Sequence, residues 1–237
     1  MRFLVTRPEP DAGDTVAALR RLGHDAIVEP LLTVACLPPP GALPEPAAIV
    51  CTSRNSVRAL LGWPQAAGWL SVPVFAVGAA TAGLAREGGF SDVQVAGGDA
   101  AALVELVRSR LEPGRGAILY PAARDRAGQV ESGLAAAGLV VRVVEAYRAE
   151  AATALTEATV AAFRQQSIDG VLVFSRRTAE TLRDLVRAAG LSDGLAGLEV
   201  YAISAEAAAP LHELPGVRVL VAARPDSEAL LGLVPAP

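Results

Sequence analysis

Residues able to bind an anion follow several predicted β-strands of this chain, at the points where helices are predicted to begin. They are Arg7; Thr52, Ser53, Arg54 and Asn55; Gly78 and Thr81; Pro121, Ala122 and Arg124; Ser175 and Arg176; and Ser204. Ligands of open parallel sheets bind beyond the carboxyl ends of the strands. The free N–H groups and the dipole of a helix N-terminus attract anions there. The pattern therefore predicts an anionic ligand, held by hydroxyls, arginines and backbone amides.

A tyrosine lies on an unusually long predicted strand. Tyr147 is one of only three tyrosines, and it falls within the extended stretch Val141–Glu150. We interpret this strand as a connector between two lobes, with Tyr147 in the cleft between them. Two simpler interpretations stay open here: Tyr147 only packs the hinge, and Ser53 and Ser175 are plain helix N-caps. The recurrence of Ser-Arg at equivalent positions in both halves of the chain gives the functional interpretation of these two serines the same weight as the capping interpretation.

The residue types that are absent exclude several mechanisms. All 21 positive charges are arginines, so no lysine can form a Schiff base, hold pyridoxal phosphate or serve a P-loop. His24 and His212 have no second ligand at zinc spacing, and we expect His24 to face solvent. No dinucleotide fingerprint and no Gly-x-Ser-x-Gly nucleophile motif occurs. Tyrosine, carboxylates, arginine and backbone amides remain, which suits a reaction governed by ligand shape.

The composition is that of a folded globular protein. The 237 residues are 52% hydrophobic and 19% charged, enough for one large or two small domains. The net charge of −4, without a basic stripe, predicts no nucleic-acid partner. No apolar run reaches the roughly 18 residues of a membrane span, and no secretion signal is found. Two cysteines, Cys36 and Cys51, are consistent with a reduced, cytoplasmic protein.

Strands and helices are predicted to alternate, which indicates an α/β fold with parallel sheets flanked by helices. The predicted strands are Leu4–Thr6, a single long run Ala26–Leu37, Ile49–Thr52, Val72–Val77, Val93–Ala96, Ala117–Tyr120, Val140–Tyr147, Gly170–Phe174, Glu199–Ile203 and Arg218–Val221. The predicted helices are Asp11–Leu22, Ser53–Leu61, Gly78–Arg86, Asp99–Leu111, one ending at Gly138, Thr153–Gln166, Arg177–Ala189, Ala205–Leu211 and one beginning near Asp226.

An internal repeat relates the two halves of the chain. The matching segments are Val50–Arg54 with Val173–Arg176, Ala76–Ala80 with Ala202–Glu206, Val95–Ala96 with Val221–Ala222, and Leu19–Pro30 with Leu134–Glu145. Two similar flavodoxin-like lobes follow from this repeat. The two long extended runs favour a two-stranded hinge between them. In the repeat, Leu32 is the counterpart of Tyr147, so only one connector carries a proton donor.

Along its whole length the chain resembles the uroporphyrinogen-III synthase family. The resemblance rests on the order and spacing of six motifs. They are Leu4-Val5-Thr6-Arg7-Pro8, Val50-Cys51-Thr52-Ser53-Arg54-Asn55-Ser56-Val57, Ala76-Val77-Gly78-Ala79-Ala80-Thr81-Ala82, Leu119-Tyr120-Pro121, Glu145-Ala146-Tyr147 and Val173-Phe174-Ser175.

The resemblance implies a HemD-like fold, with residues 1–34 and 150–237 in one lobe, 39–146 in the other, and linkers at about 34–38 and 146–150. It also implies a monomeric, cofactor-free and metal-free enzyme of porphyrin and haem biosynthesis. Its substrate would be hydroxymethylbilane, a linear tetrapyrrole with eight carboxylates. The enzyme would close the ring with loss of water and inversion of ring D, through a spiro intermediate. Tyr147 matches the family position proposed for the proton donor. The orientation of the bilane would be the main catalytic effect.

One segment departs from the family pattern. Where family members commonly have Gly-x-x-Thr, this chain has Ser204-Ala205-Glu206-Ala207. A glutamate facing a polyanion is unfavourable, so we expect Glu206 to face away, with Arg176 and Arg177 compensating. The alternative is a bilobal anion-binding or sensory protein that kept the fold without catalysis. A sugar-binding regulator module is disfavoured, because no DNA-binding helix pair is predicted.

Overall fold

A computed structural model describes residues 1–126, 128–195 and 197–236 of the chain. The chain divides into two compact units. Unit 1 comprises Met1–Thr33 and Glu150–Pro237, and unit 2 comprises Val34–Ala149. In both, parallel strands alternate with helices, so the predicted α/β fold class with two parallel sheets is confirmed.

Unit 1 is built on a five-stranded sheet with the order β11-β10-β9-β1-β2. Its strands are β1 (Arg2–Val5), β2 (Asp25–Val28), β9 (Gly170–Val173), β10 (Glu199–Ala202) and β11 (Arg218–Val221). Its helices are α1 (Asp11–Arg21), α6 (Glu157–Arg164), α7 (Arg176–Ala188), α8 (Ala205–Ala208) and α9 (Ser227–Leu231), with 3₁₀ turns at Ser192–Leu195 and Ala209–Glu213.

Unit 2 is built on a six-stranded sheet with the order β3-β8-β7-β4-β5-β6. Its strands are β3 (Leu32–Cys36), β4 (Ala48–Cys51), β5 (Val74–Ala76), β6 (Val93–Val95), β7 (Ala117–Ala123) and β8 (Val140–Ala151). Its helices are α2 (Arg54–Leu61), α3 (Ala79–Glu87), α4 (Ala100–Arg110) and α5 (Gln129–Ala136), with a 3₁₀ turn at Pro64–Gly68. The unit boundaries fall within β3 and β8.

The internal repeat is present in the strand register. Arg2 faces Asp25 in unit 1, and the matching residues of unit 2, Ala117 and Val140, face each other with the same spacing along the chain. The central strands β9 and β4 are buried along their whole length, as strands covered by helices on both faces must be. The two units therefore present the carboxyl ends of equivalent strands in the same order.

Several of the helices that follow these strand ends begin with a side-chain cap. Ser53, Ser175 and Ser204 are extended residues whose hydroxyls accept the backbone N–H three residues later. Asp99 and Asp226 cap α4 and α9 with a carboxylate in the same way. Serine and aspartate satisfy N–H groups that have no partner within the helix.

The prediction of a single extended run over Ala26–Leu37 is wrong. The chain forms β2 and β3 there, and they belong to different sheets. The break contains Glu29, whose side chain is only 2% exposed and accepts hydrogen bonds from the backbone N and hydroxyl of Thr156 and from the hydroxyl of Thr159. Pro30 follows, and it lacks the N–H that would continue a ladder.

Three further predictions need correction. The helix expected over Thr153–Gln166 begins only at Glu157, since Thr156 caps it, and the one expected to reach Leu211 changes to a 3₁₀ turn at Ala209. His24, expected to face solvent, is buried. Its Nε2 lies 2.9 Å from the carbonyl oxygen of Pro235, and its Nδ1 lies 3.4 Å from the amino group of Met1.

Candidate active site

A compact group of hydroxyls lies at the carboxyl ends of strands β4, β7 and β8 of unit 2. Strand β4 ends at Cys51, and Thr52 and Ser53 lead directly into α2. The Ser53 hydroxyl accepts the N–H of Ser56 at 3.2 Å, which fixes the start of the helix. The sequence folds this way because a buried apolar strand is followed by a residue that caps well. Ser53 is thereby held at the carboxyl edge of the sheet.

Tyr147 reaches this group from strand β8. Its hydroxyl lies 2.7 Å from the Ser53 Oγ, and either atom can donate in this contact. Strand β8 is irregular at this position: Glu145 faces Ala122 and Tyr147 faces Ala123, so Ala146 is an extra residue. A bulge of this kind redirects the side chains that follow it.

Burial extends the pH range over which Tyr147 keeps its proton. The side chain is 8% exposed, and desolvation raises the pKa of its phenol above the ordinary value, an effect that the hydrogen bond with Ser53 opposes. Tyr147 is therefore protonated at neutral pH, and it can act as an acid but not as a base.

A second tyrosine, Tyr120, lies in the middle of strand β7, and the sequence did not single it out as a site residue. Its hydroxyl is 3.1 Å from the Thr52 Oγ1, and burial raises the pKa of this phenol as well. Two neighbouring residues, Thr52 and Ser53, thus each contact one tyrosine. The signal for Tyr120 was its position in the motif Leu119-Tyr120-Pro121 at a predicted strand end, together with the rarity of tyrosine.

Two buried groups support this arrangement without offering chemistry of their own. The Ser56 hydroxyl donates to the carbonyl oxygen of Pro121, which ties α2 to strand β7. Complete burial raises the pKa of the Cys51 thiol to about 12. A thiol with such a pKa is not a nucleophile at neutral pH.

The other predicted site residues of unit 2 have varied environments. Asn55 accepts a hydrogen bond from Arg58 at 2.8 Å, and Arg124 donates to Glu145 at 2.8 Å. The side chains of Thr81 and Ala122 are buried, whereas Arg54 is partly exposed. Gly78 is the extended residue that begins α3, and no side chain caps this helix.

Unit 1 carries the remaining predicted site residues. Arg7 is largely buried, paired with Asp11 at 3.3 Å and stacked 4.1 Å from the ring of Phe174. The Ser175 hydroxyl lies 2.8 Å from that of Thr178.

Two more predicted residues of unit 1 differ in exposure. Arg176 is exposed and pairs with Glu180 at 2.9 Å, whereas Ser204 caps the short helix α8. Glu206 is exposed. The structure thus places the predicted residues at equivalent strand ends, and it brings Ser53 and Tyr147 into direct contact.

Comparison with known proteins gives the family. The family model described as uroporphyrinogen-III synthase HemD matches residues 13–232. The chain belongs to the uroporphyrinogen-III synthase family. This membership confirms the function predicted from the sequence, within porphyrin and haem biosynthesis, and disfavours the alternative of an anion-binding or sensory protein. It also confirms an enzyme family whose substrate is a small tetrapyrrole.

Solved structures of uroporphyrinogen-III synthases share the fold. One from Helicobacter pylori has 18% sequence identity and a TM-score of 0.66, and the match covers 98% of each chain. A mutant enzyme from Thermus thermophilus has 19% identity and a TM-score of 0.55, covering 98% of this chain and 96% of that one. No curated protein matches the sequence.

Among residues 1–126, 128–195 and 197–236, no three His, Cys, Asp or Glu side chains are grouped so that they could hold a metal ion. In the same ranges, no helix has the length and apolarity needed to cross a membrane. Of the two tyrosines in this group, Tyr147 is the one in contact with a helix-capping serine.

Proposed function

We propose that this family member catalyses the cyclisation of hydroxymethylbilane to uroporphyrinogen III, with inversion of ring D, as a cofactor-independent lyase that eliminates water. The observation that carries the catalytic assignment is the contact of the Tyr147 hydroxyl with Ser53 at the strand ends of unit 2. A buried phenol that keeps its proton is suited to protonate a departing hydroxyl group.

In the proposed reaction, Tyr147 donates its proton to the hydroxyl of the bilane, which leaves as water. The resulting electrophilic carbon is attacked by ring D at its substituted position, and ring D inverts as the macrocycle closes. The proton that the substrate loses during closure returns to the phenolate. The enzyme chiefly supplies orientation, because the free bilane closes by itself to the other isomer.

The substrate's carboxylates account for the predicted binding residues. The uncapped N-terminus of α3 at Gly78 offers backbone N–H groups, and the arginines Arg54 and Arg176 offer charge-assisted hydrogen bonds. We propose that these groups, with Thr52, Asn55 and Arg124, hold carboxylates of the bilane.

An isomer assay tests the proposed function. The protein is incubated with freshly prepared hydroxymethylbilane, and the oxidised products are separated into type I and type III. We expect type III to predominate, at a rate that rises with protein concentration. Type I alone, formed at the spontaneous rate, would overturn the proposal. Binding of the linear tetrapyrrole without type III product would indicate the anion-binding alternative.

We also propose that the lobes comprise 1–34 with 150–237 and 39–146, linked at about 34–38 and 146–150. The hydrophobic clusters support this division, since each lies within one unit. An excised fragment 39–146 should unfold cooperatively on heating, followed by circular dichroism. A fragment without a thermal transition would contradict independent folding of that lobe.

We further propose a cytoplasmic monomer. The free thiols of Cys36 and Cys51 are consistent with a reducing compartment. Light scattering should give a mass near 24.3 kDa, and cell fractionation should recover the activity with cytoplasmic markers. A mass twice as large, or activity in another fraction, would contradict the respective part of this proposal.

A further inference from the structure

The repeat places a serine at the same point in both units, and the two serines cap their helices alike. Ser53 has φ −159° and ψ 163°, and Ser175 has φ −160° and ψ 156°. Each hydroxyl accepts the N–H three residues later, at 3.2 and 3.1 Å. If capping were the whole role of these serines, their remaining contacts would be equivalent too.

Their remaining contacts differ. The Ser175 hydroxyl lies 2.8 Å from the hydroxyl of Thr178, the residue whose N–H it caps. In unit 2 the corresponding residue is Ser56, and its hydroxyl is directed to the carbonyl oxygen of Pro121 instead. Besides accepting the N–H of Ser56, the Ser53 hydroxyl contacts the hydroxyl of Tyr147 instead of a side chain of its own helix.

The hydrogen-bonding capacity of a hydroxyl limits what Ser53 can do. A serine hydroxyl has one proton and two lone pairs, and the N–H of Ser56 uses a lone pair. The proton is thus available for the Tyr147 oxygen. When Ser53 donates, Tyr147 keeps its own proton for another acceptor. When Tyr147 donates to Ser53 instead, its proton is directed away from the substrate.

We propose that Ser53 is a positioning residue, which donates a hydrogen bond to the Tyr147 oxygen and so directs the phenolic proton towards the departing hydroxyl of the substrate. This inference rests on the proposed function. The phenol O–H bond breaks as its proton joins the leaving hydroxyl, and water departs with the electron pair of the C–O bond. The phenolate then accepts the Ser53 hydrogen bond until the proton lost by the substrate restores the phenol.

The N-terminus of α2 strengthens this role. The Ser53 hydroxyl is fixed at the first turn of the helix, where the partial positive charge of the helix dipole favours a nearby anion. The helix has eight residues, Arg54–Leu61. The hydrogen bond with Ser53 acts to lower the pKa of Tyr147, as a contact that stabilises the phenolate should.

The test uses Ser53→Gly, because glycine caps a helix nearly as well as serine but has no hydroxyl. We expect kcat to fall roughly 10- to 100-fold, the range of a lost hydrogen bond to a charged group, with KM little changed. Ser53→Thr, which restores a capping hydroxyl, should recover most of kcat. The pKa of Tyr147, followed by tyrosinate absorbance against a Tyr147→Phe reference, should rise in Ser53→Gly.

A double-mutant cycle decides whether Ser53 acts through Tyr147. In a Tyr147→Phe background, Ser53→Gly should have almost no further effect on kcat. Asp99→Ala, which removes a helix cap elsewhere in unit 2, controls for destabilisation and should leave kcat unchanged. If the wild type is active and the effects of Ser53→Gly and Tyr147→Phe on kcat are additive, the proposed role of Ser53 is overturned while the proposed function stands. The same holds if Ser53→Gly changes only KM. A wild type yielding only type I product would overturn the proposed function together with the role of Ser53.

Discussion

The turns after strands β4 and β9 have almost the same backbone but different side-chain contacts. Ser53 contacts Tyr147, whereas Ser175 contacts Thr178 within its own helix turn. The decisive difference lies at the third residue after the cap, where Ser56 donates to Pro121 of strand β7. A repeated scaffold has thus kept the helix cap in both units, but only unit 2 connects the cap to a tyrosine.

The turns after strands β5 and β10 also differ, and here only the turn of unit 1 has a side-chain cap. Gly78 begins α3 without a side-chain cap, whereas the Ser204 hydroxyl occupies the N–H of Ala207 at the start of α8. The N–H groups at the start of α3 are therefore the better site for a carboxylate. Under the proposed function, the proton donor Tyr147 and the uncapped helix N-terminus at Gly78 belong to unit 2, whereas exposed Arg176 belongs to unit 1.

The largest expected effect comes from removing the tyrosine hydroxyl. Tyr147→Phe should lower kcat roughly 10²-fold, since general acid help is lost while the buried ring remains. Initial rates of type III formation measure this. The far-ultraviolet spectrum and thermal midpoint of the variant should match the wild type. Near-normal turnover would show that Tyr147 is not the proton donor. The different contacts of Ser53 and Ser175 would then have no catalytic consequence.

The buried carboxylate of unit 1 has no polar counterpart in unit 2, and this predicts unequal stability effects. Glu29→Ala should lower the free energy of unfolding by about 2 kcal/mol, because the donors of Thr156 and Thr159 lose their acceptor. Val144→Ala, at the matching position of unit 2, should lower it by about 1.5 kcal/mol through lost apolar burial. Urea denaturation measures both. A Glu29 variant as stable as wild type would contradict the importance of these hydrogen bonds.

Arginines at the start of α7 test whether unit 1 binds substrate. The double substitution Arg176→Gln and Arg177→Gln should raise KM roughly fivefold per arginine, as expected for exposed charge pairs of up to about 1 kcal/mol. The value of kcat should change little. Arg183→Gln and Arg187→Gln, further along the same helix and paired with Glu213, serve as controls. An unchanged KM in the double variant would leave substrate binding to unit 2.

The pH dependence of turnover is the smallest expected difference. Burial raises the pKa of Tyr147 above the ordinary value of about 10, so its acid form persists to higher pH. Activity that depends on this acid should therefore decline only above that value as pH rises. A kcat profile for wild type and Tyr147→Phe measures this, and the variant should lack the alkaline decline. A decline near neutral pH, present in wild type only, would contradict the assignment.

The amino-acid sequence by itself determined most of the fold. Alternating apolar strands and capped helices indicated the α/β class, and the repeat of Leu19–Pro30 in Leu134–Glu145 predicted the correspondence that the strand register shows. These features were predictable because burial pattern and capping act over a few neighbouring residues. The sequence also placed Tyr147 and Ser53 at strand ends, and their motifs led to the family.

Tertiary structure decided how these residues are connected. The bulge at Ala146, the Ser53–Tyr147 contact and the Tyr120–Thr52 contact each join residues far apart in sequence, so their side-chain directions depend on strand register. Burial of His24 and Glu29 was missed for the same reason, because their partners Pro235 and Thr156 lie far along the chain. Local sequence patterns position strand ends, but distant partners determine which hydroxyl donates to which.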